Sequence, residues 1–423
     1  MDNYFDEDTL VLMADFTYKP IKDIQVGDQL VGDNSEIRNV LAVRKGLAIM
    51  YELKMNKGNL TLRDMLDLVD KAKKVGKPEK GDSIFCSGNQ ILMLKCMDWR
   101  SKPWDKGYNR YKACWIDQDH VSRCKSFYVR PDTYATKELA YDATIKYLAS
   151  IPRVKGSLVA IRLEDYLDRP NAWGEQYCFY NVPIYFNSQS VDLDPYILGY
   201  WLGDGTSAKP EITTENPEVV DYFRHYAISL NHVLNRINAT TSESNADTYR
   251  VTSKTKGKGD NIFLNHLRKY NVLNNKHIPE CYKRNSRDVQ LGVLAGLLDS
   301  DGCCNRGTCY IISLKLENLI DDIAFICQSL GYSVYKKEFQ GTCTNGANGP
   351  VTGTYYRLCI TGKDFSDLPL LIDYKKAKQK ECKVDSSNRT FKVSKLKDER
   401  PGVKLELDGD GRFLLKDFVV ARC

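Results

Sequence analysis

LAGLLDSDG at Leu294–Gly302 decides the fold of this chain, together with a weaker copy of it, LGYWLGDG at Leu198–Gly205. Each stretch is an apolar run that ends in an aspartate followed by glycine, which is typical of a buried helix that stops at a turn. One copy alone would be compatible with an ordinary core helix. Because the pattern occurs twice, we expect two equivalent helices whose final acids are Asp204 and Asp301.

Small residues recur four positions apart on both stretches, as Gly199 with Gly203 and Gly296 with Ser300. This spacing gives each helix a flat face on which a second helix backbone can lie closely. Helices that pack in this way would bring their final acids together at one end. Two adjacent carboxylates repel each other, and Mg²⁺ relieves the repulsion while it keeps places for water and phosphate oxygens. The sequence therefore predicts a magnesium site that hydrolyses phosphodiester bonds.

The sequence around the two stretches repeats as well. Helices are predicted at 195–203, 219–230, 263–270, 289–299 and 316–331. Strand-like stretches are predicted at 308–314, 333–339 and 354–361. Repetition of helix, strands and helix over roughly a hundred residues indicates two similar halves. We place them at about 191–285 and 286–384.

Residues 1–190 and 385–423 differ from this insert in character. They contain short apolar alternations broken by glycine and aspartate, which predict an all-β domain. An insert is tolerated where the two ends of the host chain meet at the surface. The predicted fold class is therefore α+β and multi-domain, with a β-rich domain that is interrupted at 191–384 by two similar α/β halves.

The composition excludes several classes of protein. With 423 residues and 42% hydrophobic content, the chain can bury several cores and is neither disordered nor fibrous. We find no apolar run that could span a bilayer, and the acidic start MDNYFDEDTL is unlike a signal peptide, so neither membrane insertion nor secretion is expected. The 14 cysteines are expected to be reduced thiols. The net charge of +6 is a weak indication of a polyanionic partner.

LAGLLDSDG and LGYWLGDG resemble the signature of LAGLIDADG homing endonucleases and its usual degenerate first copy. The resemblance implies that Asp204 and Asp301 bind the metal and that each serves one strand of a double-strand cut. It also implies Mg²⁺ as the cofactor, with Mn²⁺ as a substitute. The partner is then double-stranded DNA with a long specific site, and the protein acts as a monomer because one chain carries both halves.

The same family often places a lysine near each active centre. Lys276 is our candidate in the first half, and Lys376 is the candidate in the second half, with Lys375 left open as the alternative. A lysine could polarise the scissile phosphate or the attacking water. The other interpretation of each lysine is a solvated surface charge.

The flanking regions 8–15, 23–28 and 412–420 resemble the first and last blocks of Hint domains, the β fold of inteins. With the nuclease motifs and the stretch 111–131, the match is closest to the inteins of yeast vacuolar ATPases and to the yeast mating-type switching endonucleases. That resemblance implies a nuclear protein. Without it, a cytoplasmic one would be expected.

Splicing by this fold needs a first-position nucleophile, a histidine in the second block and a terminal His-Asn pair. The resemblance places Tyr4, Gln90 and Ala421-Arg422 at these positions. Tyr4 cannot form a thioester, and Gln90 is no proton donor at neutral pH. We therefore expect that splicing is lost.

DNA contacts are expected from basic side chains in both regions, because the family forms a saddle of sheets over the major groove. In the insert the candidates are Lys209, Arg236, Arg250, Lys254, Lys256, Lys258, Lys336, Lys337 and Arg357. In the β-rich domain a basic, aromatic arm at about 95–150 supplies Arg110, Lys112, Arg123, Lys125 and Arg130. The alternative interpretation of these charges is a solvated surface, and that of the arm tryptophans is a small core.

A second function stays open at this point: a sequence-specific DNA-binding protein derived from an intein whose nuclease has decayed. The intact Asp204 and Asp301 argue against it. Autoprocessing without splicing is a third function, and it would need a nucleophile near Tyr4 that the sequence lacks.

Overall fold

A computed structural model describes residues 3–55, 83–97, 104–105, 107–169, 177–238, 246–254, 261–305, 309–343, 351–362, 364–378 and 390–423. The chain forms two compact units. Unit 1 comprises Met1–Val182 and Asn388–Cys423, and unit 2 comprises Pro183–Ser387. No helix within the described ranges is long and apolar enough to cross a membrane.

Unit 1 begins with strands and has only two α-helices before the chain leaves it, counted over the described residues. The strands are β1 Phe5–Asp6, β2 Leu10–Leu12, β3 Tyr18–Pro20, β4 Gln29–Val31, β5 Ile37–Met55, β6 Ser83–Ser87, β7 Ile91–Cys96, β8 Trp104–Asp105, β9 Arg110–Ile116, β10 Ser122–Tyr128, β11 Leu158–Arg162 and β12 Tyr177–Phe179. The helices are α1 Lys137–Ser150 and α2 Leu163–Leu167.

Unit 2 mixes helices and strands. Its helices are α3 Pro195–Asp204, α4 Pro217–Ser229, α5 Ile262–Lys269, α6 Glu280–Lys283, α7 Arg287–Ser300 and α8 Glu317–Ser329. Its strands are β13 Glu211–Thr214, β14 His232–Asn238, β15 Asp247–Ser253, β16 Gly302–Asn305, β17 Cys309–Leu314, β18 Ser333–Cys343 and β19 Val351–Thr361. A short 3₁₀ turn, Asp373–Lys375, follows β19.

The two halves of unit 2 repeat one topology. The first sheet has the order β13-β15-β14 and the second the order β16-β17-β19-β18, so β13, β15 and β14 correspond to β17, β19 and β18. The remaining strand, β16, begins with Gly302 opposite Ile312. In the first half an isolated bridge between Gly205 and Ile212 takes its place. Buried residues of both halves form one continuous hydrophobic core.

The chain then returns to unit 1 through β20 Phe391–Leu407, β21 Arg412–Leu414 and β22 Val420–Arg422. β20 pairs with β5 and β1, while β22 joins the sheet β11-β7-β22-β21. These returning strands complete both five-stranded sheets of unit 1 and bury a separate core. The fold is therefore α+β, and the expected fold class is confirmed.

Candidate active site at the ends of two paired helices

α3 and α7 start and stop where the sequence provides caps. The Asp194 side chain accepts a hydrogen bond of 3.0 Å from the Ile197 amide, and Pro195 occupies the first turn, where its missing N–H costs nothing. Gly205 caps the C-terminus of α3, and Asp301 caps that of α7. The two quoted motifs are therefore the C-terminal ends of the two helices.

Backbone contact between α3 and α7 depends on their small residues. A Cβ atom on Gly199 would overlap the carbonyl oxygen of Val293, and one on Gly296 would overlap the backbone of Tyr196 and Tyr200. A Cβ atom on Gly203 would overlap Ser300 and Asp301. The helices thus approach closely enough to bring their C-terminal acids into one site.

The carboxyl groups of Asp204 and Asp301 affect each other electrostatically. Both residues expose surface to solvent, but the protein mass around their carboxyl groups removes part of the hydration. This desolvation is the main cause that raises the pKa of Asp204 to about 6, and the negative charge of Asp301 raises it further. Desolvation also raises the pKa of Asp301. Loss of the proton is therefore less favourable for both acids than for a free aspartate, although the charges of Lys276 and Lys375 oppose the shift.

Lys276 lies at the C-terminal end of α3. Its Nζ donates to the carbonyl oxygens of Gly203 at 2.9 Å and Gly205 at 2.7 Å. The last carbonyls of a helix have no partner within it and carry a partial negative charge, so an ammonium group stabilises them. Desolvation lowers the pKa of Lys276, and the nearby Asp301 and Asp204 oppose this shift.

Lys375 takes the equivalent position at the end of α7. Its Nζ donates to the carbonyls of Asp299 at 2.6 Å and Ser300 at 3.0 Å. Desolvation lowers its pKa, while Asp299, Asp204 and Asp301 raise it. Lys376, our first choice from sequence, instead pairs with Asp373 at 2.7 Å. Of the two lysines that the sequence left open, the structure therefore brings Lys375 to the acids.

Asp299 is a positioning residue that the sequence analysis did not single out. It is only 1% exposed, and one of its carboxylate oxygens accepts from the Tyr196 hydroxyl at 2.9 Å and from the Leu371 amide at 2.7 Å. These bonds tie the end of α7 to α3 and to the segment that leads to Lys375. Asp299 is the first acid of the LLDSD run and could have been noticed there, but its structural role depends on residues far away in the sequence.

The donor set fits a hard cation. Among the described residues no group of three or more His, Cys, Asp or Glu side chains could hold a metal ion, so Asp204 and Asp301 would be the only acidic ligands there. Mg²⁺ suits such a site, because it is commonly held by one or two carboxylates while water and substrate phosphates fill the other positions. A bound cation would offset the desolvation that raises the pKa of both acids.

Arg250, Lys337 and Arg357 lie on the strand faces that point away from the helices of unit 2. Val251 and Leu358, their neighbours along β15 and β19, are buried in the core, so strand alternation turns the two arginines outward. Lys337 is the cross-strand partner of Arg357 and shares its face. These three predicted DNA contacts form outward-facing basic positions.

Lys336 and Arg236 have different surroundings. Lys336 donates to Glu317 at 2.8 Å and Asp321 at 2.5 Å on α8, so it lies on the helix side of its sheet. Arg236 pairs with Asp247 at 2.7 Å. Ion pairs within the protein occupy both side chains, which weakens their candidacy as DNA contacts. Arg250 is weakened in the same way, because its Nε donates to Glu211 at 2.6 Å.

Two of the four remaining candidates of unit 2 lie in loops. Lys209 and Lys254 are exposed, and Lys209 Nζ lies 4.0 Å from a Glu211 oxygen. Lys256 and Lys258 lie outside the described residues.

The predicted arm of unit 1 contains the β9–β10 hairpin, with α1 packed on one face. Arg110 donates to the Tyr128 hydroxyl at 2.9 Å, and Arg130 lies 4.8 Å above the same ring. Strand alternation places Lys112 on the same hairpin face as Arg110. Arg110, Lys112 and Arg130 thus form an aromatic-supported basic cluster.

Arg123 and Lys125 occupy the other face of this hairpin. Arg123 pairs with Asp117 at 2.7 Å. Lys125 Nζ lies 4.1 Å from the ring centre of Tyr147 on α1. The hairpin therefore divides the five predicted arm contacts between an open face and a face that α1 covers.

The positions that the resemblance assigned to splicing hold no nucleophile or acid. The Tyr4 amide donates to the Ser87 hydroxyl at 2.8 Å. Gln90 is only 1% exposed and donates to the Arg422 carbonyl at 2.6 Å. A carboxamide at this place fixes the last strand by a hydrogen bond but transfers no proton.

The protein is 35% identical over 153 residues to the replicative DNA helicase DnaB of Mycobacterium intracellulare, a match over 34% of this chain and 22% of the helicase. The match thus spans about a fifth of that curated relative.

Solved structures with partial similarity include the homing endonuclease I-DmoI in complex with DNA and Ca and the gp41-1 intein. The first is 16% identical and covers 40% of this chain and 81% of its own, with a TM-score of 0.25. The second is 16% identical and covers 30% of this chain and 80% of its own, with a TM-score of 0.15. Residues 4–100 match the family model described as Hom_end-associated Hint. The N-terminal part of unit 1 is therefore similar to the Hint domains that accompany homing endonucleases.

Proposed function

We propose that this chain is a site-specific endonuclease of double-stranded DNA that uses Mg²⁺, with Mn²⁺ as a substitute, and that has lost protein splicing. The observation that carries the proposal is the meeting of Asp204 and Asp301 at the ends of α3 and α7, with Lys276 and Lys375 beside them. The Hint similarity of residues 4–100 supports it, since the matching family accompanies homing endonucleases.

Each side chain has a defined task in this proposal. Asp204 and Asp301 would hold the metal, which when bound supplies an activated water and stabilises the charge that develops on the phosphate. Lys276 has two of its three N–H groups bonded to helix carbonyls, so the third can donate to a phosphate oxygen. Lys375 keeps a positive charge fixed at the other helix end. Duplication of these parts on one chain suits a monomer that cuts both strands.

DNA would be held by the outward-facing basic positions of each unit. In unit 2 these are Lys337 and Arg357 on strands, with Lys209 and Lys254 in loops. In unit 1 they are Arg110, Lys112 and Arg130 of the hairpin. Such side chains mainly contact phosphates and set the position of the protein, and a subset reads base edges.

Cleavage of a randomised plasmid library by the purified protein with Mg²⁺ tests the proposal. We expect discrete double-strand cuts that Asp204→Asn and Asp301→Asn both abolish. Asp288→Asn is the matched control, because Asp288 lies in the first turn of the same helix as Asp301 but at the opposite end from it. Specific binding without any cut would instead identify a DNA-binding protein with a decayed nuclease.

Loss of splicing is tested separately. The chain is placed between two reporter segments, and the ligated reporter is sought by mass. We expect none, and Gln90→His alone should not restore it, because Tyr4 cannot supply the first thioester or ester. Appearance of the ligated reporter would contradict this part of the proposal.

A further inference from the structure

The β9–β10 hairpin of unit 1 presents one face to α1 and leaves the other uncovered by it. Trp115 packs edge-on against Tyr147 of α1 at 5.5 Å, and Phe127 contacts the same ring at 5.6 Å. Odd-numbered residues of both strands therefore face the helix. Six of the even-numbered ones form what we call the open face: Arg110, Lys112, Cys114, Cys124, Ser126 and Tyr128. Ile116, at the far end of β9, is instead buried in the core of unit 1.

Cys114 and Cys124 are directly opposite each other on this face. They are Cα partners in the antiparallel ladder, and their sulfur atoms lie 2.9 Å apart as free thiols. Directly opposite residues of an antiparallel pair have Cα atoms about 4.5–5.5 Å apart, which lies within the span of about 4.4–6.8 Å that disulfides bridge. The backbone spacing of such a pair therefore falls within the range that a disulfide bridges.

Access to the two thiols differs. Cys124 is exposed, while Cys114 is half-buried. Desolvation, followed by the hydrogen bond from Cys124, raises the pKa of Cys114 to about 12. A reagent in solution therefore reaches Cys124 first, and Cys114 is held close enough to react second.

We propose that Cys114 and Cys124 form a modification site at which a low-molecular-weight disulfide of the glutathione class reversibly cross-links the two strands of the open face. The site belongs to none of the catalytic or splicing positions described above. It would give the hairpin two covalent states under the control of thiol chemistry.

The exchange balances in two steps. The Cys124 thiolate attacks one sulfur of the reagent disulfide, which breaks that S–S bond, forms a mixed disulfide and releases one thiolate that takes up the Cys124 proton. Cys114 then gives up its proton and attacks the Cys124 sulfur, which releases the second reagent thiol. Two protein thiols are oxidised to one disulfide, and one reagent disulfide is reduced to two thiols. An excess of reduced thiol reverses both steps.

Cross-linking would restrict opening of the hairpin. The bond closes a short loop between paired strands, and loops of this length lose enough unfolded-state entropy to slow local opening about tenfold to a hundredfold. Lys112 and Ser126 form the next cross-strand pair on the same face. The oxidised state therefore holds part of the basic cluster on fixed strands.

The test uses the full chain without DNA, so its result is independent of nuclease activity. The protein is incubated with oxidised glutathione, free thiols are alkylated in acid, and peptides are mapped by mass spectrometry. Cys303, an exposed thiol in unit 2, reports that the reagent is active. We expect a Cys114–Cys124 cross-link that reduced glutathione removes, and amide exchange in the hairpin that slows about tenfold or more on oxidation.

Single variants separate a reacting pair from two independent thiols. With Cys114→Ser, glutathione should remain on Cys124; with Cys124→Ser, Cys114 should stay largely unmodified. The proposal is overturned if Cys303 is modified while the hairpin cysteines remain free, or if they carry glutathione separately without a cross-link. Unchanged amide exchange in a cross-linked hairpin would overturn its proposed effect on the strands.

Discussion

Replacing Gly296 by alanine should destabilise unit 2 and reduce cleavage together. The added Cβ atom would overlap the Tyr196 carbonyl and the Tyr200 amide and would lie 3.0 Å from the Gly199 carbonyl carbon, all of them backbone atoms of α3. No side-chain rotation can relieve such a clash, so the helices must separate. Overpacking costs about 3 kcal/mol at its upper range, and the better helix propensity of alanine returns about 1 kcal/mol. We expect a net loss of about 2 kcal/mol in the free energy of unfolding.

For a unit of this size that loss lowers the unfolding temperature by about 4–8 °C. Displacement of the two acids by about 1 Å can reduce the cleavage rate about a hundredfold. Calorimetry and cleavage kinetics at saturating Mg²⁺ measure the two effects. Gly353→Ala is the control, because a Cβ atom there meets nothing closer than 3.9 Å. If both variants were equally stable and equally active, the close helix contact would not be what builds the site.

Three further predictions concern charges. Lys375→Met should lower cleavage by about a hundredfold, whereas the adjacent Lys376→Met should leave it unchanged; kinetics on the same substrate compare them. The pKa of Asp204 is raised from 3.8 to about 6 in the folded protein, so the folded state binds a proton more tightly than the unfolded state. Without metal, the free energy of unfolding should therefore fall as the pH rises from about 4 to about 6. Asp204→Asn should flatten that fall in denaturant titrations with EDTA, and an unchanged pH profile would contradict the pKa shift. Arg110→Ala should lower the slope of log affinity against log salt for DNA by about one, while Arg123→Ala, already paired with Asp117, should change it less.

Much of the fold could be predicted because caps and periodicity are local. The expected helix at 195–203 is observed as Pro195–Asp204, and the one at 289–299 as Arg287–Ser300. The strand expected at 333–339 continues to Cys343, where Gly341 and Thr342 give no apolar alternation. Pairing with β19 extends the strand there, and that partner is not visible in the local sequence.

Helix α1 was missed inside the arm. Its buried residues are Ala140, Thr144 and Leu148, which are spaced as one helical face but include a small and a polar side chain. Thr144 can be buried because its hydroxyl donates to the Ala140 carbonyl at 2.7 Å. Hydrophobic periodicity cannot reveal a buried helix face that contains a polar side chain whose hydrogen bond is made within the helix.

The candidate site shows where sequence reasoning stops. Asp204 and Asp301 follow from the motifs, but the choice between Lys375 and Lys376 depends on the 3₁₀ turn that ends at Lys375. Adjacent side chains in such a turn point in different directions, so one lysine reaches the end of α7 and the other returns to Asp373. The two adjacent lysines are identical in type, so the sequence alone does not show which of them points to the acids.

The two acids of the site are stronger evidence for the proposed nuclease function than its two lysines. Lys276 and Lys375 satisfy helix-end carbonyls, so folding alone would explain their presence. Asp204 has no such explanation: within the described residues its carboxylate has no hydrogen bond, and desolvation together with Asp301 disfavours its charge. A group that destabilises the metal-free fold at neutral pH is best explained by the ligand that compensates it. We therefore expect catalysis to depend on the two carboxylates, and a variant that gains metal-free stability while it loses cleavage would demonstrate that exchange directly.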